Sequence, residues 1–545
     1  MRNLVLLLVT LVATSCSIVK TILRSEDLIS VTPNIDNGEF VLTQSHFRQP
    51  NAHYVINRNC TLRGSKIFIP SNCTISFIGG SINDGTIVGA DTYVKAHNEQ
   101  IFGEALILKG TFSAKSARPV WFGIKPDCIL DSEGRYVSGT NWIEGFALLL
   151  LFDKIQLDKG GIYYINGHLS TRSNQSIKGN NATIKWSYLK HKALFEVGYA
   201  NGYKYVENVK FSNLNIIGNK LETDDVTEQC HGICIGYASN VSICDVRVSY
   251  CRGDGIYVGS NVTVPRKDIT PKNIDIMNVR CLYNHRQGMS ITRVDGLKVK
   301  NSEFSYTSGT APSAGIDIEP NKKTGDNGEV YITDCRNISI SNCSFWGNEG
   351  YGLVMGHSSC NQENVQEVIS NVELNKCNFR DNRLYVYGGH KIRIHNLSMD
   401  NSTLEMRAPG YTDDIVFKDL KFTCNIKDNE MSAISFILYS VANANSKINN
   451  ITFDKIDIIG YGAYGINIPQ VQSKGVSIPY ISGLTIKRNT IKGCSVPLYI
   501  GPAIERQKLT SNRLLPQDAN KLTPSQLKIR EKAPTGIFIQ TDVIE

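Results

Sequence analysis

The chain has few Met, seven among 545 residues, and few runs rich in Ala, Leu and Glu. Because such runs are typical of helical proteins, their scarcity beside 45 Gly favours a β-rich fold. After the N-terminus no apolar run is long enough to cross a bilayer, and FALLLLF at 146–152 is far too short. No pair of Cys has the spacing of a metal site. The composition therefore predicts a large β-rich protein without a later membrane span or a metal centre.

Residues 1–16 have the features of an export signal. Arg2 gives a basic start, LVLLLVTLVA an apolar core and ATSC a small-residue end at Cys16. A Cys in that place resembles the bacterial lipobox, although Ala13 stands where Leu or Val is usual. In this interpretation Cys16 is lipidated and the protein is an exported outer-membrane lipoprotein, periplasmic or at the cell surface. The alternative is an ordinary signal peptide with a coincidental Cys.

The remaining Cys residues and the net charge indicate the state of the thiols and the kind of partner. Cys281, Cys343 and Cys377 occupy apolar slots of a repeat, which favours stacked buried thiols over disulfides. The formal charge of +8 favours an acidic partner, and for an exported protein an anionic glycan fits better than nucleic acid. A mildly basic surface without function is the other interpretation.

Five segments share one template of Gly, apolar, variable, apolar and variable residues. They are HGICIG (231–236), DGIYVG (254–259), QGMSIT (287–292), AGIDIE (314–319) and YGLVMG (351–356). Alternation with period two predicts short strands with one buried face. Repeats of two to three dozen residues with several strands each are typical of a parallel β-solenoid, in which Asn residues at the turns can stack in ladders.

The repeats also suggest how the chain is divided. We expect a signal segment at 1–16, a strand-rich cap with the first coils at 17–118, the solenoid at 119–501 and a polar tail or cap at 502–545. A last strand is predicted at 536–544. A short capping helix is predicted from Trp142 to Lys154, with Thr140 or Asn141 as its N-cap.

These features resemble the pectin-lyase-like superfamily, which includes polygalacturonases, pectate lyases and phage tailspike hydrolases. RPVWFGIKPD (118–127) is similar to the N-terminal module of tailspike-type members, and FIGGSINDGTIVGADT (77–92) to β-helix lipoproteins of gut Bacteroidetes. The resemblance covers about residues 59–500 and implies an all-β, single-stranded right-handed parallel β-helix. The polygalacturonase and pectate-lyase catalytic motifs are absent, so the resemblance transfers no catalytic residue.

Asp317 and Glu319 distinguish one repeat from the other four. They are two residues apart on a strand, so their side chains are expected on the same unburied face, roughly 6–7 Å apart. Asp254 is expected two coils away, or else acts only as a turn former. A carboxyl pair at this spacing favours an inverting glycoside hydrolase. The alternative is an inert solvated strand face.

Stacking of coils extends this site into columns. The first outward column holds Cys234, Tyr257, Ser290, Asp317 and Val354. The next holds Gly236, Gly259, Thr292, Glu319 and Gly356, and its glycines are expected to open a groove around Glu319. Further predicted contacts to a substrate are His231, Tyr257, His285, Arg286, Gln287, Asn321 and His357.

Three functions compete at this stage. The first is a polysaccharide-degrading glycoside hydrolase with Asp317, Glu319 and Asp254 as catalytic residues and no cofactor. The second is a polysaccharide lyase or uronate epimerase, in which His285, Arg286, Lys322 and Lys323 could supply the base, and charge would be neutralised by Arg or by Ca²⁺ held by the acids. The third is a non-catalytic glycan-binding surface protein. In each case the partner is a polysaccharide, with no nucleic acid and with membrane contact only through a lipid anchor.

Overall fold

A computed structural model of the protein describes residues 28–526, except 189, 191, 199–203, 225–227, 260–268, 325–327, 329, 357–367, 408–411, 438–447, 470–480, 502–503 and 506–507. Cys16, His357 and the strand predicted at 536–544 lie outside the described residues. The chain divides into two compact units. Unit 1 comprises 1–126, 142–159 and 175–178, and unit 2 comprises 127–141, 160–174 and 179–545.

Unit 1 is built mainly from parallel strands in a six-stranded and a four-stranded sheet. Its strands are Leu28–Ser30, Asn34–Asp36, Glu39–Val41, His53–Ile56, Asn59–Thr61, Lys66–Phe68, Thr74–Phe77, Ser81–Asn83, Gly85–Lys95, Leu106–Ala114 and Lys154–Gln156. Two 3-10 helices, Gln44–His46 and Pro119–Phe122, and an α-helix, Ile143–Leu149, complete its regular elements.

The α-helix is shorter than the sequence predicts. It ends at Leu149 because the chain soon enters the strand Lys154–Gln156, which pairs in parallel with residues 176–178. Trp142 occupies the N-cap position and makes no capping hydrogen bond through its side chain. The predicted cap Thr140 instead donates its hydroxyl to Asp127, at 2.6 Å.

Unit 2 carries two long sheets of stacked strands. Sheet A has twelve strands: Leu169–Ser170, Phe195–Val197, Ile233–Ile235, Ile256–Val258, Gln287–Ile291, Ala314–Ile318, Leu353–Met355, Arg383–Val386, Thr403–Met406, Ile434–Phe436, Tyr464–Ile468 and Val496–Ile500. Neighbouring strands in sheet A pair in parallel, each with the next one along the stack. This is the arrangement of a parallel β-helix, as the repeat predicts.

Sheet B is larger and also parallel. Its strands in unit 2 are Ile162–Asn166, Ser176–Ser187, Val206–Ile217, Ala238–Ser249, Lys272–Met277, Arg280–Leu282, Val294–Lys300, Glu303–Ser305, Cys335–Ser341, Ser344–Trp346, Ile369–Asn375, Asn378–Arg380, Gly389–His395, Ser398–Asp400, Thr412–Thr423, Ile448–Ile459, Ile481–Ser482, Thr485–Lys487, Thr490–Cys494, Ile504–Glu505, Lys508–Thr510 and Arg513–Pro516. Short antiparallel pairs join Ile129–Leu130 with Tyr136–Ser138, and Lys322–Thr324 with Val330–Ile332. The 3-10 helices Lys220–Glu222 and Ala519–Lys521 also belong to this unit.

The core of unit 2 consists of like residues stacked from coil to coil. Phe304, Phe345 and Phe379 form one such stack, with ring centroids 6.0 and 4.6 Å apart. Cys281, Cys343 and Cys377 are fully buried free thiols, as the sequence predicts. Each coil thus buries its apolar face against its neighbours.

Asn ladders hold the turns in place. The side-chain amides of Asn208, Asn240 and Asn273 each donate to the Asn of the preceding coil, at 2.8, 3.1 and 3.2 Å, starting from Asn174. These residues have φ between 53° and 61°. Asn tolerates this left-handed conformation better than most residues, which explains why it recurs at these turns.

The stack continues beyond residue 501, where the sequence predicts a polar tail or cap. Lys508–Thr510 pairs with Thr485–Lys487, and Arg513–Pro516 pairs with Thr490–Cys494. Polar residues on the outward face of these strands make the segment look like a tail in composition alone.

Candidate functional site

The strand register of sheet A produces the column that the repeat predicts. Tyr257 pairs with Ser290, Ser290 with Asp317 and Asp317 with Val354. Their neighbours along each strand, such as Ile316 and Ile318, are fully buried in the core. Because side chains alternate along a strand, the Asp317 column lies on the outer face of sheet A.

Asp317 is nevertheless buried, with 1% of its surface exposed, so the prediction of an unburied face is wrong for this residue. Val354, the direct strand partner of Asp317, belongs to an apolar cluster with Ala314 and Tyr385, against which Tyr351 and Tyr387 pack. Gln287, Arg286 and Glu319 lie around the carboxyl itself. Asp317 is therefore enclosed by side chains from its own and neighbouring coils, although the alternation along its strand places it toward solvent.

Burial shapes the protonation of Asp317. The Gln287 side-chain amide donates to Oδ2 at 3.4 Å, whereas the buried Oδ1 atom has no hydrogen-bond partner among the described residues. Desolvation, followed by the charge of Glu319, raises the pKa of Asp317 well above its ordinary value. Burial therefore favours the protonated form of Asp317.

Glu319 is the carboxyl of the pair that solvent can reach, with 25% of its side chain exposed. It lies close enough to Asp317 for the protonated form of one to hydrogen-bond to the other, which contributes to the raised pKa of Asp317. The predicted separation of roughly 6–7 Å is therefore wrong. Because inverting enzymes leave room for a water between their carboxyls, this pair does not support the spacing argument for inversion.

Asp254 is fully buried and joins the cluster through Arg286. The guanidinium Nη1 lies 3.4 and 3.3 Å from the two Asp254 oxygens and donates to Ser290 at 3.2 Å. Burial raises the pKa of Asp254 to about 6, against the lowering effect of Arg286. Asp254 is therefore an ionisable group of the cluster, and not simply a turn former.

Arg286 binds carboxylates on two sides. Its Nη2 donates to Glu319 at 3.4 Å while Nη1 contacts Asp254, and Nε lies 3.7 Å from Glu228. Only 15% of the Arg286 side chain is exposed. Although burial acts to lower the pKa of Arg286, the surrounding carboxylates raise it overall, so the guanidinium stays charged. Arg286 thus fixes Asp254 and Glu319 in one arrangement.

His231 and Tyr257 form a stacked pair beside Asp254, with ring centroids 4.9 Å apart. The Asp254 backbone N–H donates to His231 Nδ1 at 3.0 Å, so the neutral imidazole carries its proton on Nε2. Burial, and then Arg286, lower the pKa of His231 to about 3. Tyr257 shares a hydrogen bond of 2.8 Å with the Thr292 hydroxyl.

The glycine column does not open a groove as the sequence predicts. A Cβ at Gly259 would clash with the Thr292 hydroxyl, and a Cβ at Gly356 would lie 2.5 Å from Tyr387. Neighbouring side chains therefore fill the space that these glycines leave. Their role is close packing between coils.

The other predicted substrate contacts have structural partners. Gln287 is fully buried, its side-chain oxygen accepts the Ala314 N–H at 2.7 Å and its amide donates to Asp317, so its polar atoms hold the strand of Asp317. Asn321 donates its backbone N–H to Thr333 at 2.7 Å. His285 is half-buried in its turn, its backbone N–H bound to Cys251, and burial lowers its pKa.

A cleft that sequence reasoning missed lies further along the same face of unit 2. It has a volume of about 780 Å³, and its lining includes Arg383, Glu405 and Ser435. The register links Tyr385 to Glu405 and Glu405 to Ser435, so these residues extend the Asp317 column beyond Val354. At about 4.8 Å per coil, Glu405 is roughly 14 Å from Asp317. These strands lack the Gly template, which is why the repeat gave no signal for them.

Two further searches covered only the described residues. They contain no three His, Cys, Asp or Glu side chains placed to hold a metal ion together. They also contain no helix with the length and apolar character to span a bilayer.

Comparison with known proteins relates the chain to other β-helices. Residues 202–408 match a family model described as right handed beta helix region. The uncharacterized protein YclG of Bacillus subtilis strain 168 is 34% identical over 175 residues, which cover 28% of this chain and 29% of YclG. The SPbeta prophage-derived uncharacterized protein YorA of the same strain is 29% identical over 189 residues, 31% of each chain. The chain thus spans about three tenths of the length of these relatives.

A solved structure gives the same result for the fold. The pre-mature gene product 12 of bacteriophage phi29 has a TM-score of 0.58 at 16% identity, over 74% of this chain and 52% of that chain. At such low identity the likeness concerns the fold alone. Together with the parallel register of sheets A and B, these findings show that the chain has the right-handed parallel β-helix fold.

Proposed function

We propose that the protein is an exported enzyme that hydrolyses glycosidic bonds in a polysaccharide. The observation that carries this proposal is the cluster of Asp254, Asp317 and Glu319 around Arg286 on the outer face of sheet A. Buried carboxyls with raised pKa values are costly to maintain, and they concentrate at sites that use them. A purely structural strand face would not need two of them, Asp254 and Asp317.

Each residue has a distinct part in the proposed reaction. Glu319 is the carboxyl that reaches the sugar, because it is the exposed member of the cluster. Asp317, whose protonated form burial favours, keeps a proton available to Glu319 beside it. Proton donation to the glycosidic oxygen and activation of water are the two tasks that carboxyls perform in such hydrolysis.

Arg286 and Asp254 are positioning residues in this scheme. Arg286 orients the Glu319 carboxylate, and buried Asp254 orients Arg286 in turn. The cleft at Arg383 and Glu405 supports binding of a chain along the stack, since it lies on the same face a few coils away. A polysaccharide laid along sheet A would contact both places.

The test compares carboxyl variants with a matched control. Asp317→Asn and Glu319→Gln should each lower the release of reducing ends from a responsive polysaccharide by at least about a hundredfold, since they remove general acid–base catalysis. Asp275→Asn, an exposed carboxyl on sheet B, should leave turnover unchanged. Folding is checked by urea unfolding of each variant. Wild-type turnover in both site variants would refute the proposal.

The same assay separates the competing functions. A lyase would release an unsaturated product that absorbs in the near ultraviolet, and a calcium-dependent enzyme would lose activity with a chelator. An epimerase would alter the uronate composition without new reducing ends. Tight binding without any turnover would favour a non-catalytic glycan-binding protein.

A further inference from the structure

Unit 1 contains a cleft whose chemistry is opposite to that of the carboxyl cluster. Its volume is about 640 Å³. The lining includes five cationic residues and, among the described residues, no Asp or Glu. The cations are Lys95, Lys115, Arg118, Lys154 and Lys178. The cleft lies wholly within unit 1 and shares no residue with the site on sheet A.

The stacked strands place these cations on successive rungs. Ser113 pairs with Tyr93, which brings Lys115 beside Lys95. Ala117 bridges to Ile155, which places Arg118 and Lys154 on adjacent strands of the stack. Gln156 pairs with Lys178, which adds Lys178 from the next strand. Adjacent strands are about 4.8 Å apart, so the charges form a row. A row of fixed cations suits a linear polymer that carries repeated negative charges.

Asp153, the residue before Lys154, binds backbone through its Oδ1 atom. Asp153 Oδ1 accepts the backbone N–H groups of Ala114 and Lys154, at 3.1 and 2.9 Å. Lys115, Lys154 and Lys178 are exposed, so their ammonium groups face solvent. Ser116, Gln156 and Ser176 are half-buried residues of the same lining, and the Ser116 hydroxyl donates to the Gln156 side-chain oxygen at 3.3 Å.

We infer that this cleft of unit 1 binds an anionic polysaccharide, a chain of sugars bearing carboxylate groups. The site goes beyond the proposed hydrolysis, because binding here requires no turnover. Single-stranded nucleic acid fits less well, since its bases need exposed aromatic rings for stacking. The half-buried Tyr93 in the lining has the Lys95 ammonium over its ring, 5.9 Å from the centroid. The ring of Trp121 is 2% exposed, and its N–H is bound to the His97 carbonyl at 2.8 Å.

The experiment measures binding of polygalacturonate to the full chain carrying Asp317→Asn, so that cleavage does not interfere. Lys115→Gln, Lys154→Gln and Lys178→Gln are combined in one variant. The matched control combines Lys66→Gln, Lys109→Gln and Lys125→Gln, which are exposed lysines of unit 1 outside the cleft. Both variants lose the same net charge.

The cleft variant should bind polygalacturonate about tenfold more weakly than the control, the size expected for loss of three exposed charge pairs. Binding should also weaken with added salt, and dextran, which is neutral, should not bind. Equal weakening in both variants would show that net charge alone acts, and would overturn the inference. So would absence of polygalacturonate binding at low salt, or stronger binding of single-stranded DNA or of anionic vesicles. None of these results depends on whether the carboxyl cluster is catalytic.

Discussion

Replacement of Asp254 by Asn should change how the stability of the protein depends on pH. Burial raises the pKa of Asp254 from 3.8 to about 6. Between these two values the folded protein binds more protons at this position than the unfolded protein does. The free energy of unfolding therefore falls as the pH rises from about 4 to about 6, and this contribution is constant above that range.

The size of the effect follows from the pKa. Each pKa unit corresponds to about 1.4 kcal/mol, so ionised Asp254 costs the folded state about 3 kcal/mol relative to its protonated form. This figure already contains the favourable contact with Arg286, which opposes the effect of burial. Asn has nearly the same shape and no charge to desolvate.

Urea unfolding at pH 4 and at pH 7.5 measures this contribution. Because the unfolded Asp is already partly ionised at pH 4, the wild-type protein should lose about 2 kcal/mol more than Asp254→Asn between the two pH values. Asp275→Asn, an exposed carboxyl, should retain the wild-type dependence. Identical pH dependence in the wild type and in Asp254→Asn would refute the account of a desolvated carboxyl at this position.

Three other predictions follow from particular contacts. Arg286→Gln leaves buried Asp254 without its cation and should destabilise the protein by about 3–5 kcal/mol in urea unfolding. The control Arg280→Gln should cost less than about 1 kcal/mol, because the Arg280 side chain that pairs with Glu303 is 54% exposed. Asn240→Ala should cost about 1 kcal/mol more than Asn240→Gly, because φ at this turn is 53° and only Ala is strained there; equal losses would assign the effect to the ladder hydrogen bonds alone. Cys16→Ser should abolish labelling of the protein by radioactive palmitate in a bacterial host and release it from the membrane fraction, while unchanged labelling would contradict the lipobox interpretation.

The fold was predictable because it repeats. Five copies of one strand template fixed the register of sheet A, and the columns through Tyr257, Ser290 and Asp317 came directly from that alignment. The Asn residues at the turns were also predictable, because Asn tolerates the positive φ that these turns require. Each of these features depends on local spacing, which a sequence records.

The environment of the site was not predictable in the same way. Asp317 is buried among residues of other coils, such as Gln287 and its strand partner Val354, which are far away in the sequence. The filling of the glycine column by Thr292 and Tyr387 is likewise a matter of side-chain direction between coils. Alternation along a strand predicts which face of the sheet a residue occupies. Whether that face is exposed to solvent depends on the side chains of the neighbouring coils.

The most direct test of the central claim is a crystal structure of the Glu319→Gln variant with an oligosaccharide of the polysaccharide that the wild-type protein is proposed to hydrolyse. The account predicts a sugar ring against the outer face of sheet A, with a glycosidic oxygen within hydrogen-bonding distance of the residue 319 side chain and the chain directed toward Arg383 and Glu405. An oligosaccharide bound elsewhere on the protein, with the carboxyl cluster still closed around Arg286, would contradict it.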